Sequence, residues 1–192
     1  MSEAETVLRF AFFIHKSTAV KDNIVRVSID GACNQVFPVQ PFLETNGYML
    51  REALAGSSAQ YTGQYVKGEK IIQVFASDYR EKKPDLEAIL SDGRRLVAEC
   101  KKGRNQVDSV MHQAIGQFIT SGGFENADIR VIVLPYSEKV VSLARNWLSK
   151  AHIQALGICI AAVNRNEETC WVPSNPLRQH LPGPVAHGLP TR

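Results

Sequence analysis

Two short apolar segments separated by an Asp-Gly turn constrain the fold of this chain more than any other feature. Residues 85–90 and 95–101 flank the tetrapeptide Ser91-Asp92-Gly93-Arg94. Apolar runs of this length around an Asp-Gly pair are typical of a β-hairpin. We therefore expect an antiparallel pair of strands near the middle of the chain, against which the other elements pack.

Two registers of this hairpin can be written. A two-residue turn at Asp92-Gly93 would pair Asp85 with Cys100, and each face would then mix apolar and charged side chains. A three-residue loop, Ser91-Asp92-Gly93, would pair Asp85 with Glu99 instead. In that register one face collects only apolar or small side chains: Leu86, Ala88, Leu90, Leu96, Ala98 and Cys100. Because a shift of one residue exchanges the two faces of a strand, we predict the three-residue loop.

The patterns along the rest of the chain predict a mixed fold. Residues 7–30 are rich in β-branched and aromatic side chains around a polar connection, which predicts an N-terminal β-hairpin. Apolar periodicity and helix-ending signals predict helices over residues 41–54, 106–120 and 137–151, and further strands over residues 70–75, 129–134 and 156–163. This order predicts an α/β or α+β domain with helices flanking a mixed central β-sheet.

Length and composition indicate one domain followed by a tail. The 192 residues are 44% hydrophobic and 21% charged, which is ordinary for a globular chain. We predict a single domain over residues 1–163, with its core at about residues 41–163. Residues 164–192 hold five of the nine prolines and show no hydrophobic periodicity, so we predict an extended or disordered tail there.

Cysteine usage and charge narrow the classes of function. Four separated cysteines and an acidic N-terminus predict a reduced, cytoplasmic protein, and the longest apolar run is too short to cross a membrane. The formal net charge is +3, and residues 80–104 carry all of it with eight basic and five acidic side chains. On charge alone, that segment is either a solvated hairpin or a surface that attracts a polyanion.

A carboxylate and a lysine share one face of the second strand of the predicted hairpin. Glu99 and Lys101 are two residues apart, so they lie about 6.6 Å apart on that face, and the predicted register adds Asp85 opposite Glu99. Two acids and an ammonium on one rigid hairpin suit metal-assisted hydrolysis, in which the acids hold a divalent ion and the lysine orients or deprotonates a water. Glu87 lies on the same face, where it would serve a second metal or simply face solvent.

Pro84-Asp85, a hairpin and then Glu99-Cys100-Lys101 resemble the paired motifs of the PD-(D/E)XK nuclease superfamily, whose restriction endonuclease-like fold many restriction and repair nucleases share. The core of that family is a helix, a three-stranded antiparallel unit that carries the motifs, a helix and a further strand, and residues 41–135 show this predicted order. The resemblance implies that Asp85, Glu99 and the backbone carbonyl of Cys100 ligate Mg²⁺ or Mn²⁺. It also implies that Lys101 positions or activates the attacking water.

The resemblance points to two further side chains. Residues 113–117 resemble the glutamine-bearing helix of several branches of the family, which implies that Gln117 approaches the substrate or the site. Many members carry a glutamate on the first core helix, and Glu44 and Glu52 are the candidates here. On a helical wheel Glu44 flanks the apolar stripe and Glu52 lies opposite its centre, which favours Glu44.

These features predict a metal-dependent nuclease that hydrolyses phosphodiester bonds of nucleic acid, with DNA favoured over RNA and a DNA endonuclease favoured overall. One alternative is a catalytically inactive nucleic-acid-binding or assembly subunit with the same fold, although a pure binder has no need of two carboxylates that repel phosphate. Another is a structural α/β protein in which the motif is accidental. We expect no membrane partner, and a homodimer or a protein partner stays open.

Overall fold

The fold was analysed in a computed structural model, which describes residues 1–16, 20–77, 83–103, 107–120, 128–173 and 176–177. These residues form six helices: α1 (Glu3–His15), α2 (Gly31–Val36), α3 (Val39–Thr45), α4 (Val107–Thr120), α5 (Glu138–Leu148) and α6 (Ala151–Gln154). They also form nine strands: β1 (Val20–Ile29), β2 (Met49–Ala53), β3 (Gly63–Lys67), β4 (Lys70–Ala76), β5 (Leu86–Leu90), β6 (Arg95–Cys100), β7 (Ile129–Pro135), β8 (Ile158–Val163) and β9 (Thr169–Val172).

All nine strands belong to one mixed sheet, in the order β2-β3-β4-β1-β5-β6-β7-β8-β9. Strands β1, β5 and β6 are antiparallel neighbours, and β7 and β8 continue parallel to β6. Strands β2, β3 and β4 form an antiparallel unit that joins the other side of β1, with β4 parallel to β1. The predicted class, a mixed sheet flanked by helices, is confirmed.

Helix α1 lies inside the larger of two hydrophobic clusters. It begins after Ser2, whose Oγ accepts a backbone hydrogen bond of 3.1 Å from three residues further along the chain. Ten of its thirteen residues are buried. Phe12 stacks on Tyr48 beside β2, and Phe10 contacts Trp171 on β9 edge to face. The helix therefore contacts side chains from both ends of the strand order.

The prediction of an N-terminal hairpin over residues 7–30 is wrong, because α1 precedes β1. A helix that is buried on most sides is apolar nearly all round, so its sequence lacks the polar stripe that separates a helix from a buried strand. The core therefore begins with α1 and not at about residue 41.

Two other element predictions are corrected. Residues 41–54 are not one helix, because α3 ends at Thr45, Gly47 adopts a left-handed φ of 82°, and β2 follows. The tail predicted over residues 164–192 includes β9, which pairs antiparallel with β8, and Leu177 is buried. Residues 178–192 of that predicted tail lie outside the described residues.

The smaller hydrophobic cluster lies on the opposite face of the sheet. It joins α4 and α5 to β7 and β8, and Val97 of β6 belongs to it. Strand β6 is thus covered by α1 on one face and approached by α4 on the other. In the part of the chain that the structure describes, no helix is both long and apolar enough to cross a membrane.

Candidate functional site

Strands β5 and β6 pair in the register of the three-residue loop. Leu86 lies opposite Ala98, and the pairing continues without a shift to the turn. Gly93 has a left-handed φ of 85°, which glycine adopts without steric cost. Continued one step beyond the paired residues, this register sets Asp85 opposite Glu99. The predicted three-residue loop is confirmed.

Burial explains why this register is the stable one. The apolar face of the hairpin is buried in the cluster around α1, with every member at most 2% exposed: Leu86, Ala88, Leu90, Leu96, Ala98 and Cys100. The other register would have placed charged side chains among them, at the cost of burying charge in an apolar core. Packing of this face therefore fixes the position of the acidic residues on the other.

Short contacts tie the predicted catalytic residues together. The carboxylate of Asp85 accepts a hydrogen bond of 2.7 Å from the backbone N–H of Cys100. Lys101 Nζ lies 2.5 Å from Glu99 Oε1, and both side chains are largely buried. The backbone N–H of Lys101 donates to the carbonyl of Val133 on β7, so the lysine is anchored at the end of the parallel part of the sheet. The structure thus brings Asp85, Glu99 and Lys101 together.

Burial and neighbouring charges perturb the pKa values of the site residues. Burial raises the pKa of Asp85 well above its usual value, and the neighbouring Glu99 raises it further. Burial also raises the pKa of Glu99, although Lys101 opposes that change. Burial lowers the pKa of Lys101, but Glu99 and Asp85 outweigh burial and raise it. Burial therefore disfavours the charged forms of both acids, and a positive charge beside them favours those forms.

A third acid near the site escaped the sequence analysis. The charge of Glu3, in the first turn of α1, raises the pKa values of Asp85, Glu99 and Lys101. The backbone N–H of Gly103, just after β6, donates a hydrogen bond of 3.2 Å to the carbonyl of Met1, which holds the start of α1 beside the site. The Ser-x-x-Glu spacing at residues 2–5 is typical of a helix start and was the available signal.

The two glutamates considered from the sequence lie on α3 and β2. Glu44 is exposed on α3, where it accepts a hydrogen bond of 2.8 Å from Gln40. Glu52 is exposed on β2, at the edge of the sheet and five positions from β6 in the strand order. The prediction of one helix over residues 41–54, from which Glu44 was favoured, is wrong, because α3 ends at Thr45. Gln117 is exposed on α4, and its role stays a prediction.

Glu87 faces the same side of the sheet as Asp85 but has other partners. Its carboxylate lies 3.4 Å from Arg26 and 3.8 Å from Arg95, both on neighbouring strands. These ion pairs favour a role in holding the strands together over a role as a second metal ligand.

The donor set fits a divalent cation by chemistry and by charge. Carboxylate and carbonyl oxygens are the ligands that Mg²⁺ and Mn²⁺ prefer, and a bound cation would stabilise the charged forms of Asp85 and Glu99. The described residues hold no group of three His, Cys, Asp or Glu side chains placed to surround a metal ion. Side chains would therefore supply two ligands, and the Cys100 carbonyl and water would have to complete the set.

No family model, no curated protein and no solved structure matches this chain.

Proposed function

We propose that this protein is a metal-dependent nuclease that hydrolyses phosphodiester bonds of nucleic acid, with DNA as the favoured substrate and internal cleavage as the favoured reaction. One observation carries the proposal: Asp85 and Glu99 lie opposite one another on a rigid hairpin, with Lys101 in contact with Glu99. Two carboxylates removed from water beside one another cost folding free energy, and such pairs are concentrated at functional sites.

The topology supports the proposal. Helix α1, the antiparallel unit β1-β5-β6, helix α4 and the parallel strand β7 follow one another in the order that the resemblance to the PD-(D/E)XK superfamily implies. The segment from α2 to β4 is then an insertion between the first and second strands of that unit. Under this assignment α1 is the first core helix, so Glu3 takes the place for which Glu44 and Glu52 were considered.

Each residue of the site has a role in this reaction. Asp85, Glu99 and the backbone carbonyl of Cys100 would hold Mg²⁺ or Mn²⁺, which polarises the phosphate and makes a bound water acidic. The hydrogen bond from the N–H of Cys100 fixes the Asp85 carboxylate, and the contact with Glu99 fixes Lys101 Nζ. From that position the ammonium donates to the attacking water and orients it. The water oxygen bonds to phosphorus, the bond to the 3′ oxygen breaks, and that oxygen takes up a proton.

The test uses DNA circles, because a circle has no ends and its linearisation reports internal cleavage. Relaxed closed duplex circles and single-stranded circles are incubated with the purified chain, with and without Mg²⁺ or Mn²⁺. We expect cleavage that requires the ion and that falls about 100-fold or more in Asp85→Asn and in Lys101→Gln. Glu44→Gln is the matched control, because it removes an exposed acid on another element, α3.

Two outcomes would contradict the proposal. If cleavage survives both Asp85→Asn and Lys101→Gln, the activity belongs to another site or to a contaminant. If neither circle is cut with either ion but binding depends on salt, the chain is a nucleic-acid-binding subunit instead.

A further inference from the structure

Two cavities adjoin the candidate site, one on each side of it. The first has a volume of about 380 Å³ and lies over β4, β1 and β5, where its wall includes Pro84, the residue before Asp85. The second has a volume of about 250 Å³ and lies beyond the ends of β6 and β7, where its wall includes Lys102, the residue after Lys101. The site therefore lies between two recesses large enough for flat rings.

Each cavity combines one aromatic ring with one lysine. Phe75 and Lys83 line the first cavity, and Tyr136 and Lys102 line the second. Phe75 is half-buried, and Tyr136 is 49% exposed although its backbone is bonded to β8. Aromatic side chains stack on nucleobases, and lysines neutralise the phosphates between them.

The strand pairing sets the two rings on opposite sides of the site. Phe75 on β4 is paired with Ser28 on β1, and the N–H of Ser28 donates to the carbonyl of Asp85 at 2.9 Å. Glu99 on β6 is paired with Ile132 on β7, and Tyr136 comes four residues after Ile132. Four strand spacings separate β4 from β7, which is about 19 Å, and four residues along the strand add about 13 Å at right angles, so the two positions are about 23 Å apart. This distance is longer than one nucleotide, and the strands that carry the two acids, β5 and β6, lie between the two rings.

We propose that the two cavities hold unpaired nucleotides on either side of the scissile phosphate, so that the substrate is single-stranded nucleic acid; this rests on the proposed function. In an intact duplex the faces of the bases are stacked on one another. A protein ring could therefore stack on a base only after that base had been unstacked from its neighbours. A single strand offers its base faces and its phosphates together, which is the combination that a ring and a lysine on each side recognise.

The binding test is carried out without metal, so that it does not depend on cleavage. Fluorescence anisotropy measures the affinity for a labelled oligothymidine, an oligouridine and a duplex of equal length. We expect either single strand to bind about tenfold or more tightly than the duplex. Tyr136→Leu should weaken single-strand binding about fivefold or more, whereas Tyr136→Phe, which keeps the ring, should bind like wild type.

Lysine variants test the phosphate contacts separately. For Lys102→Gln, the slope of the logarithm of affinity against the logarithm of salt concentration should decrease by about 0.7, the value for one phosphate contact to a single strand. Lys150→Gln is the matched control, because it removes an exposed lysine that comes just after α5. Phe75→Leu tests the first cavity, and its thermal unfolding is compared with wild type so that a folding defect is recognised.

The outcomes separate this inference from the proposed function. Equal affinity for duplex and single strands, or wild-type affinity in Tyr136→Leu, would overturn the inference even if DNA circles are cut. Ring-dependent binding of single strands without cleavage of any circle would support the inference and refute the hydrolysis. Binding of only one of the two single strands would support the inference for that nucleic acid, DNA or RNA.

Discussion

Acid should destabilise this fold through one buried histidine, His15 at the end of α1. The side chain is 3% exposed, its Nδ1 lies 3.0 Å from the hydroxyl of Tyr48, and its Nε2 lies 3.0 Å from the carbonyl of Asn23. Because a carbonyl can only accept, Nε2 carries the proton and donates it, and Nδ1 accepts from the tyrosine. The neutral ring is thus fully hydrogen-bonded, and a second proton would bury a charge.

The size of the effect follows from the pKa of this ring. Burial, opposed by the hydrogen bond to Asn23 and assisted by the charge of Lys70, lowers the pKa of His15 from 6.5 to about 4. Between these two values the unfolded chain binds a proton that the folded chain does not bind. Stability is therefore complete above pH 6.5 and decreases as the pH falls towards 4, where the loss reaches about 3 kcal/mol.

Urea unfolding followed by tryptophan fluorescence measures this loss at several pH values between 7 and 4. Other titrating groups contribute to both proteins, so the measured quantity is the difference in the free energy of unfolding between wild type and His15→Gln. This difference should shift by about 3 kcal/mol in favour of the variant as the pH falls. His152→Gln, at an exposed histidine on α6, is the matched control. A difference that stays constant from pH 7 to pH 4 would refute the reasoning.

Two further measurements test the sheet edge and the candidate metal site. Gly63→Ala should lower the free energy of unfolding by about 1–3 kcal/mol, because its Cβ would lie 2.5 Å from the carbonyl oxygen of Glu52. Gly116→Ala has open space around its Cβ and should raise the free energy of unfolding by about 0.5–1 kcal/mol. Chemical unfolding measures both changes, and equal changes would contradict the close packing around Gly63. Mn²⁺ at about 100 times its dissociation constant should raise the free energy of unfolding by about 2.7 kcal/mol. Thermal unfolding should show this gain in Glu44→Gln and not in Asp85→Asn, and a gain in both would remove Asp85 from the ligand set.

The central hairpin could be predicted from the sequence because local information determines it. The Asp-Gly turn marks where the chain reverses, and only one register separates apolar from charged side chains. Asp85, Glu99 and Lys101 then follow from the alternation of a strand. Nothing distant in the chain is needed to place these three residues on one face.

Helix α1 and the residue it carries could not be predicted in this way. The burial of α1 depends on Tyr48 and Trp171, which are far from it in the chain, and an apolar run of this length is read equally well as a strand. With α1 predicted as a strand, the next helical pattern takes its place as the first helix, so Glu44 is weighed against Glu52 and Glu3 is not considered. Strand β9 could not be predicted either, because its four residues are too few to show a hydrophobic period and lie between a polar and a proline-rich segment.

The position of α1 also has a consequence for how this protein folds. Every strand that buries the helix follows it in the chain, up to Trp171 on β9. Contacts between residues so distant in sequence are slow to form, and the apolar surface of α1 is exposed to solvent until they do. Since Glu3 is carried by the first turn of this helix, its charge acts on Asp85 only once α1 has packed against the sheet. A chain that ends before β9 would therefore keep the hairpin acids but lack Trp171, which helps to hold α1 in place.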